Sequence, residues 1–299
     1  MKIAFLILHY KNIQETIQCV ESILKNVNYN NYNIVLVDNG SNNGSGEALK
    51  EKYSNNRKIE IIINKENMGF ANGNNVGFRY IKNNLNSDFI IMINSDTIIE
   101  QSDFCDKIVE KYEKYKFDVC GIDIILPDGR HTNPSISNIK NINDIKKTIR
   151  KFKFYTKMCK LNLDIFNVVI EKIKSYKKNK KIKIDRKQDI IINNEIQLHG
   201  SAMIFSPTFI KRYDGLYSGT FLYFEEVSLR YICKRDNLIV LYTPDIKIIH
   251  KESKSTKSIY SNWQKRHMFY YENVIYSATN LMHYIEKDNS ITWKRGNDE

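Results

Sequence analysis

The sequence predicts an α/β fold on a mostly parallel sheet, and three observations predict it. Four short apolar segments, residues 3–8, 34–37, 59–63 and 89–93, have the length of strands. Helical patterns separate them, so the connections are right-handed crossovers and the strands parallel. Each segment runs into a small polar cluster: His9-Tyr10, Asp38-Asn39-Gly40-Ser41, Asn64-Lys65-Glu66-Asn67 and Asn94-Ser95-Asp96. Parallel strands bring their carboxyl ends to one edge, where open α/β sheets bind ligands. Asp38, Asn67 and Asp96 are thereby expected on one rim.

Taken in order, the first helix is marked by Ile13, Ile17, Val20, Leu24 and Val27, an apolar stripe at alternating steps of four and three. A second helix starts near Ser45, after Gly44 breaks the preceding turn. A third starts around residues 71–74 and turns Val76 and Tyr80 inward. Phe104, Ile108, Tyr112 and Tyr115 mark a fourth. A further strand, 119–126, stops at Pro127-Asp128-Gly129, a turn signal. Residues from about 130 to 190 are rich in Lys and Asn, with helical patterns over 139–149 and 161–173, and read as an insertion. Strand patterns resume at 195–205, 238–242 and 246–249. The aromatic tail, 259–286, is predicted helical.

A chain of 299 residues can bury a large core in one domain with appendages. Its 42% hydrophobic content argues against disorder. No apolar run reaches the roughly 18 to 20 residues that span a bilayer. The apolar start resembles a signal peptide, but His9, Tyr10 and Lys11 cut it short, which favours a first buried strand. The five cysteines are scattered and lack C-x-x-C spacing, which argues against a metal cluster or disulfide scaffold and fits buried thiols in a reducing cytosol. The net charge of +12 implies a polyanionic neighbour: nucleic acid, anionic headgroups or phosphorylated substrates. Its densest part is residues 172–183, with Arg186 and Lys187 beyond, either a solvated face or a lipid-surface contact.

Several clusters carry chemical possibilities. Asp38 at a strand end can accept hydrogen bonds from a nucleobase or ribose, or simply organise an Asx turn. The run from Asn67 to Phe78 holds three glycines and four asparagines and opens a helix, whose first N–H groups favour anions. It is not a Walker loop. Asp96, behind a very apolar strand, is a seat for a divalent cation or a helix cap. Glu225 and Glu226 precede a helical pattern; either suits the helix dipole, or serves as a general base. His250 ends a strand and is a metal ligand or a surface group. The other histidines, His9, His131, His199, His267 and His283, form no H-x-x-x-H pair.

In this order the motifs resemble those of family 2 glycosyltransferases with the A-type nucleotide-sugar fold. They are Val37-Asp38-Asn39-Gly40-Ser41, Asn67-Met68-Gly69-Phe70-Ala71, Asn74-Asn75-Val76-Gly77, Asn94-Ser95-Asp96, Phe224-Glu225-Glu226, and His250 with Ser253. The likeness covers roughly residues 1–250 and is to bacterial rhamnosyl and hexosyl transferases of capsule or surface-polysaccharide assembly. It implies a Rossmann-like, mostly parallel central sheet flanked by helices, with a Lys-rich helical insertion and a C-terminal helical tail. Residues 1–128 would be the donor half, 129–194 the insertion, 195–255 the acceptor and catalytic half, and 256–299 the tail.

The resemblance also implies roles. Asp38 would contact the base or ribose, with His9, Tyr10 and Asn39 beside it. Asn67, Gly69, Asn72 and Asn75 would line the donor sugar and phosphates, with Asn94 and Ser95 nearby. Asp96 matches the last Asp of the D-x-D motif, Asn94 replacing the first, and would share Mn²⁺ or Mg²⁺ with His250. Glu226 falls where the family has its Asp base, and Glu225 remains a rival. Ser228 replaces a further acidic residue. His199 and Gly200, in His199-Gly200-Ser201-Ala202-Met203, would face the acceptor. The expected partners are a UDP- or dTDP-sugar, a lipid-linked or oligosaccharide acceptor, and an anionic membrane surface at the cytoplasmic face of the plasma membrane; no nucleic acid is expected. The competing readings are a basic nucleic-acid-binding protein and a sugar nucleotidyltransferase.

Overall fold

The computed structural model describes residues 1–161, 186–192, 196–252 and 263–288. The amino-terminal half alternates strand and helix: β1 (Ile3–His9), α1 (Ile13–Asn26), β2 (Tyr32–Asp38), α2 (Ser45–Lys52), β3 (Ile59–Ile63), α3 (Gly69–Tyr80), β4 (Phe89–Asn94), β5 (Thr97–Ile98), α4 (Phe104–Tyr115) and β6 (Val119–Ile125). Then follow β7 (Ser135–Ile136), α5 (Ile142–Lys160), β8 (Ile190–Ile191), β9 (Ile196–Gln197), β10 (Ala202–Phe205), α6 (Pro207–Arg212), α7 (Glu225–Arg235), β11 (Val240–His250) and α8 (Trp263–Lys287).

The main sheet has the order β3-β2-β1-β4-β10-β6-β11-β5, with β8 added on β11. β1 pairs parallel with β2 and β4, and β2 with β3, so the first four long strands end on one rim as expected. β10 runs antiparallel between β4 and β6, which returns the chain to that rim at residues 199–201. β5 pairs with the last residues of β11, His250 opposite Thr97. This pairing brings the Asp96 turn to His250 across 154 residues of chain.

Alternation along the strands separates two cores. Phe5, Ile7, Leu36 and Ile91 pack on one face with Val20 and Ile23 of α1 and Phe104 and Ile108 of α4. Ala4, Leu6, Val37 and Met92 point the other way, against Phe78 of α3, Phe209 of α6 and Leu229 and Cys233 of α7. Each fully buried large side chain contributes about 1.5–3 kcal/mol, so both helical layers are held firmly. A third cluster joins α5, α7 and α8 through Ile145, Ile149, Tyr231, Ala278 and Leu281. Asn12 caps α1 by accepting the Glu15 N–H, and Asn141 caps α5 by accepting from Asn143 and Asp144. All five cysteines are buried free thiols.

The structure differs from the sequence reading in places. α3 begins at Gly69, earlier than the 71–74 expected, because Asn67 Oδ1 accepts the Gly69 N–H (2.9 Å) and starts the first turn. Val76 and Tyr80 pack half-buried against the core as expected, beside the more deeply buried Phe78. The patterns at 238–242 and 246–249 belong to one strand, with a register shift between Thr243 and Lys247. Residues 190–191 of the segment read as an insertion join the main sheet through β11. The pattern over 161–173, the basic run 172–183 and Ser253 lie outside the described residues, apart from Leu161.

Candidate active site

At the donor rim, His9 is fully buried at the end of β1. Its Nδ1 lies 2.7 Å from Thr16 Oγ1 and its Nε2 2.7 Å from Ser45 Oγ. Burial holds its pKa below the usual imidazole value, with Asp38 opposing. Ser45 Oγ also donates to Asn43 Oδ1 at 2.6 Å, and Thr16 Oγ1 to Asn12 O at 3.2 Å, so His9 lies within a closed hydrogen-bond network. Tyr10 and its neighbour Lys11 are more open, the ammonium 5.1 Å from the ring centroid. Asp38, at the end of β2, is 3% exposed; its Oδ1 accepts from the hydroxyl and the N–H of Ser41. Asn39 is buried and fully bonded: Nδ2 donates to Asn67 Oδ1 and Gly69 O, and Oδ1 accepts from Asn64 Nδ2 and the Met68 N–H.

The Asn-rich helix start has a second function. Two amides expected to face an anion are already bonded to protein, Gly69 N–H to Asn67 and Phe70 N–H to Phe221 O (2.7 Å). Gly69 has φ +79°, and a Cβ there would overlap the Phe221 backbone. Asn75 takes both backbone groups of Leu216, donating to its O at 2.8 Å and accepting from its N–H at 2.7 Å. Asn72 Nδ2 donates to Ser218 O at 3.0 Å. These side chains tie residues 216–221 to α3. That loop leads into the two glutamates.

At the centre of the rim, His250 Nε2 sits 3.2 Å from Asp96 Oδ1. Both side chains are largely buried, at 10% and 14% exposure. The His199 ring meets His250 edge-on at 5.7 Å between centroids. Its Nδ1 accepts the Ser201 N–H, and burial beside His250 lowers its pKa to about 4, so this imidazole is neutral at physiological pH. Asn94 and Ser95 form the turn that carries Asp96; the Asn94 N–H donates to Ser201 O and its carbonyl accepts from Thr97 Oγ1. One carboxylate oxygen and one imidazole nitrogen converging at this distance fit a divalent cation, and His250 Nδ1, buried without a hydrogen-bonding partner, leaves Nε2 to face it. Among the described residues no group of three His, Cys, Asp or Glu side chains could hold a metal ion. Asp96 and His250 are thus a pair that could hold a cation only with further ligands from outside the protein.

The glutamates open α7. Glu226 Oε1 accepts the Gly200 N–H at 3.2 Å. A Cβ on residue 200 would lie 2.6 Å from that oxygen, so glycine makes room for the Glu226 carboxylate. Burial raises the Glu226 pKa, and the Gly200 amide opposes the rise. Glu225 is 5% exposed, with Oε1 lacking a hydrogen-bonding partner. Burial and the charge on Glu226 push its pKa up to about 8. Burial thus shifts both carboxyls toward the protonated form, and each disfavours a second charge on its neighbour. A cavity of about 390 Å³ runs beneath α7 from Glu226 toward Asn237 and Leu238, lined by Leu198, Met203, Leu229 and Cys233.

Two contributors had no sequence signal, the Asn133 side chain and the backbone at Tyr223 and Phe224. Asn133 is fully buried, and its Oδ1 accepts the His199 N–H at 2.9 Å, fixing the turn that faces His250. Tyr223 and Phe224 have φ of 67° and 72°, left-handed backbone that costs bulky residues about 1–3 kcal/mol each. Helix α8 holds that strained stretch: Ser277 Oγ donates to Leu222 O, Asn280 Nδ2 to Gly219 O, and Tyr270 packs edge-on against Tyr223 at 4.7 Å.

The sheet order, the Asp–His pair at its rim and the glutamates at a facing helix start define an A-type α/β transferase architecture, and comparison with known proteins agrees. Residues 5–186 match the model of glycosyl transferase family 2, and the chain belongs to that family. The curated glycosyltransferase GlyA of Streptococcus pneumoniae serotype 4 is 32% identical over 102 residues, 34% of this chain; the match spans only 14% of GlyA. The crystal structure of S. aureus TarS residues 1–349 is similar over 97% of this chain and 74% of that one, with a TM-score of 0.54 and 12% identity. The structure of GalNAc-T7 with UDP, GalNAc and Mn²⁺ is similar over 85% of this chain and 44% of that one, with a TM-score of 0.58 and 13% identity. At these identities the structural likeness establishes the fold.

Proposed function

We propose that this chain is an inverting glycosyltransferase that moves a hexosyl or rhamnosyl unit from a UDP- or dTDP-sugar to a hydroxyl of a bacterial surface glycan under assembly on a lipid carrier. The observation that carries the reading is the 199–200 segment. His199 packs on the Asp96–His250 pair, and the next residue binds Glu226. Base and diphosphate site are thereby coupled through two adjacent residues.

The donor base and ribose are received at the Asp38–Ser41 turn beside His9 and Tyr10, and the phosphates at the Asn94–Asp96 turn, while Asn67, Gly69, Asn72 and Asn75 shape the neighbouring wall through their protein bonds. Glu226 takes the proton of the acceptor hydroxyl as that oxygen attacks the anomeric carbon. The bond from this carbon to the diphosphate breaks, its electron pair leaves with the nucleoside diphosphate, and one displacement inverts the configuration. Asp96 and His250 would hold a Mn²⁺ or Mg²⁺ ion, which would supply Lewis-acid charge for the leaving diphosphate. His199, neutral, and Gly200 border the acceptor. The enzyme works at the cytoplasmic face of the plasma membrane as a peripheral protein, where lipid-linked acceptors lie. The presence of UDP and Mn²⁺ in the GalNAc-T7 structure supports the donor and cation assignments.

The test is thermal unfolding with UDP, dTDP, GDP and CMP, each with and without Mn²⁺. A ligand at 100 times its Kd adds about 2.7 kcal/mol, a clear rise in Tm. Stabilisation by UDP or dTDP that needs Mn²⁺ is expected; none with any nucleotide would refute the donor site. Glu226→Gln should keep that stabilisation and lose transfer by about 100-fold or more.

A further inference from the structure

Helix α5 carries a surface unlike those of the other helices. Lys147, Arg150, Phe154, Lys157 and Leu161 recur at steps of three and four, and all are exposed, with Lys153 and Lys160 alongside. Phe154 is 52% and Leu161 57% exposed, a large apolar pair to leave in water at the carboxyl end of a helix. The one acidic residue of α5, Asp144, lies in the first turn, where it accepts from Lys147 at 3.3 Å. By contrast, α4 balances its outer face with Lys107–Glu110, and Lys116 just beyond its end with Glu113. The inner face of α5 is spent: Ile142, Ile145 and Ile149 pack with Ala278, Leu281 and Ile285 of α8. The cationic stripe therefore serves no internal packing role.

Its position is equally specific. Phe152 meets Tyr270 at 5.5 Å, Tyr155 meets Tyr271 at 5.6 Å, and Gln264 donates to Cys159 O at 2.8 Å, so the carboxyl half of α5 lies against the start of α8. Tyr270 in turn packs on Tyr223, two residues before Glu225. The end of the α5–α8 hairpin that exposes Phe154, Lys157, Lys160 and Leu161 is the end that reaches the base-bearing loop.

We propose that the outer face of α5 docks on an anionic phospholipid bilayer, with Phe154 and Leu161 entering the headgroup boundary and Arg150, Lys153, Lys157 and Lys160 facing lipid phosphates. Cations with interspersed large apolar side chains and no exposed acid complement an anionic membrane interface. A polyanion such as duplex nucleic acid matches the charge but offers nothing for Phe154 and Leu161. The docking does not depend on the transferase reading.

The experiment is vesicle flotation of the full chain with phosphatidylcholine alone and mixed with phosphatidylglycerol, at low and high salt. Binding is expected only with phosphatidylglycerol and falls with salt. Each cation contributes about fivefold to partitioning, so the variant Lys153→Ala/Lys157→Ala/Lys160→Ala should bind about 100-fold more weakly. The tryptophan of Phe154→Trp should show a blue-shifted emission on the mixed vesicles alone. Wild-type partitioning by the triple variant would overturn the proposal. So would loss of binding on neutralising Lys177, Lys178, Lys180 and Lys181 while the triple variant binds normally, absence of wild-type binding, or a triple variant that loses only affinity for a duplex oligonucleotide. Tm shifts with UDP and Mn²⁺, measured on the same proteins without lipid, report separately on the donor site and on folding.

Discussion

Adding a single methyl group at residue 200 examines the proposed base most directly. In Gly200→Ala the new Cβ would lie 2.6 Å from Glu226 Oε1 and 3.2 Å from its Cδ, so the carboxylate must move away. It then loses the Gly200 N–H bond now present at 3.2 Å. A hydrogen bond to a charged group is worth about 1.5–3 kcal/mol, and one pKa unit corresponds to about 1.36 kcal/mol. The amide favours the ionised form, so its loss adds to the upward push of burial and raises the Glu226 pKa. A base must be ionised to act; the acid limb of the pH–rate profile therefore moves to higher pH. Displacement of the carboxylate by about 1 Å lowers the plateau by about 100-fold as well. The assay is release of nucleoside diphosphate against pH. A shorter carboxylate leaves room for the methyl group, so Gly200→Ala/Glu226→Asp should recover activity over Gly200→Ala alone. Wild-type rates and an unmoved acid limb in Gly200→Ala would refute the assignment of Glu226 and its amide partner.

Asp96→Ala should abolish the Mn²⁺-dependent part of UDP stabilisation and leave any metal-independent part, as read by Tm with and without the ion. The folded-state pKa of Glu225, about 8, is above its unfolded value, so its proton favours the folded state at low pH and this contribution is lost as pH rises through about 8. Glu225→Gln should therefore unfold at higher temperature than wild type at pH 9, with little gain at pH 5; equal shifts at both would contradict the raised pKa. Asn75→Ala strips partners from both backbone groups of buried Leu216 and should cost about 2–4 kcal/mol in urea unfolding. A loss below about 0.5 kcal/mol would mean the loop is held without it.

Much of the donor half was legible because its signals are local. The stripe from Ile13 to Val27 marks α1, and apolar segments ending in Asp38 and Asp96 mark strand ends. Periodicity and turn chemistry need only a dozen neighbours to be read. The Asp96–His250 contact was reached through resemblance; its physical cause, the pairing of Thr97 with His250, is a two-residue strand without a propensity signal. Asn133, within a segment read as an insertion, positions His199 only because a hairpin folds back along β6. The left-handed backbone at Tyr223 and Phe224 contradicts the preference of both residues, so local reasoning points away from it. The role of Asn72 and Asn75 as clamps on residues 216–218 depends on contacts 141 and 146 residues away.

The way α8 grips the 217–223 loop bears on how the protein is made. The bonds from Ser277 to Leu222, from Asn280 to Gly219 and from Tyr217 to Asn280 join residues 55 to 63 positions apart. During synthesis the amino-terminal strands emerge and can pair first, and α7 follows well before its clamp exists. A chain stalled or cleaved between residues 236 and 263 has the strands that carry the donor rim, but nothing from α8 to restrain Tyr223 and Phe224 in their costly conformation. If Glu226 is the base, as proposed, its aim would be completed only once the late-emerging helix has closed over the loop.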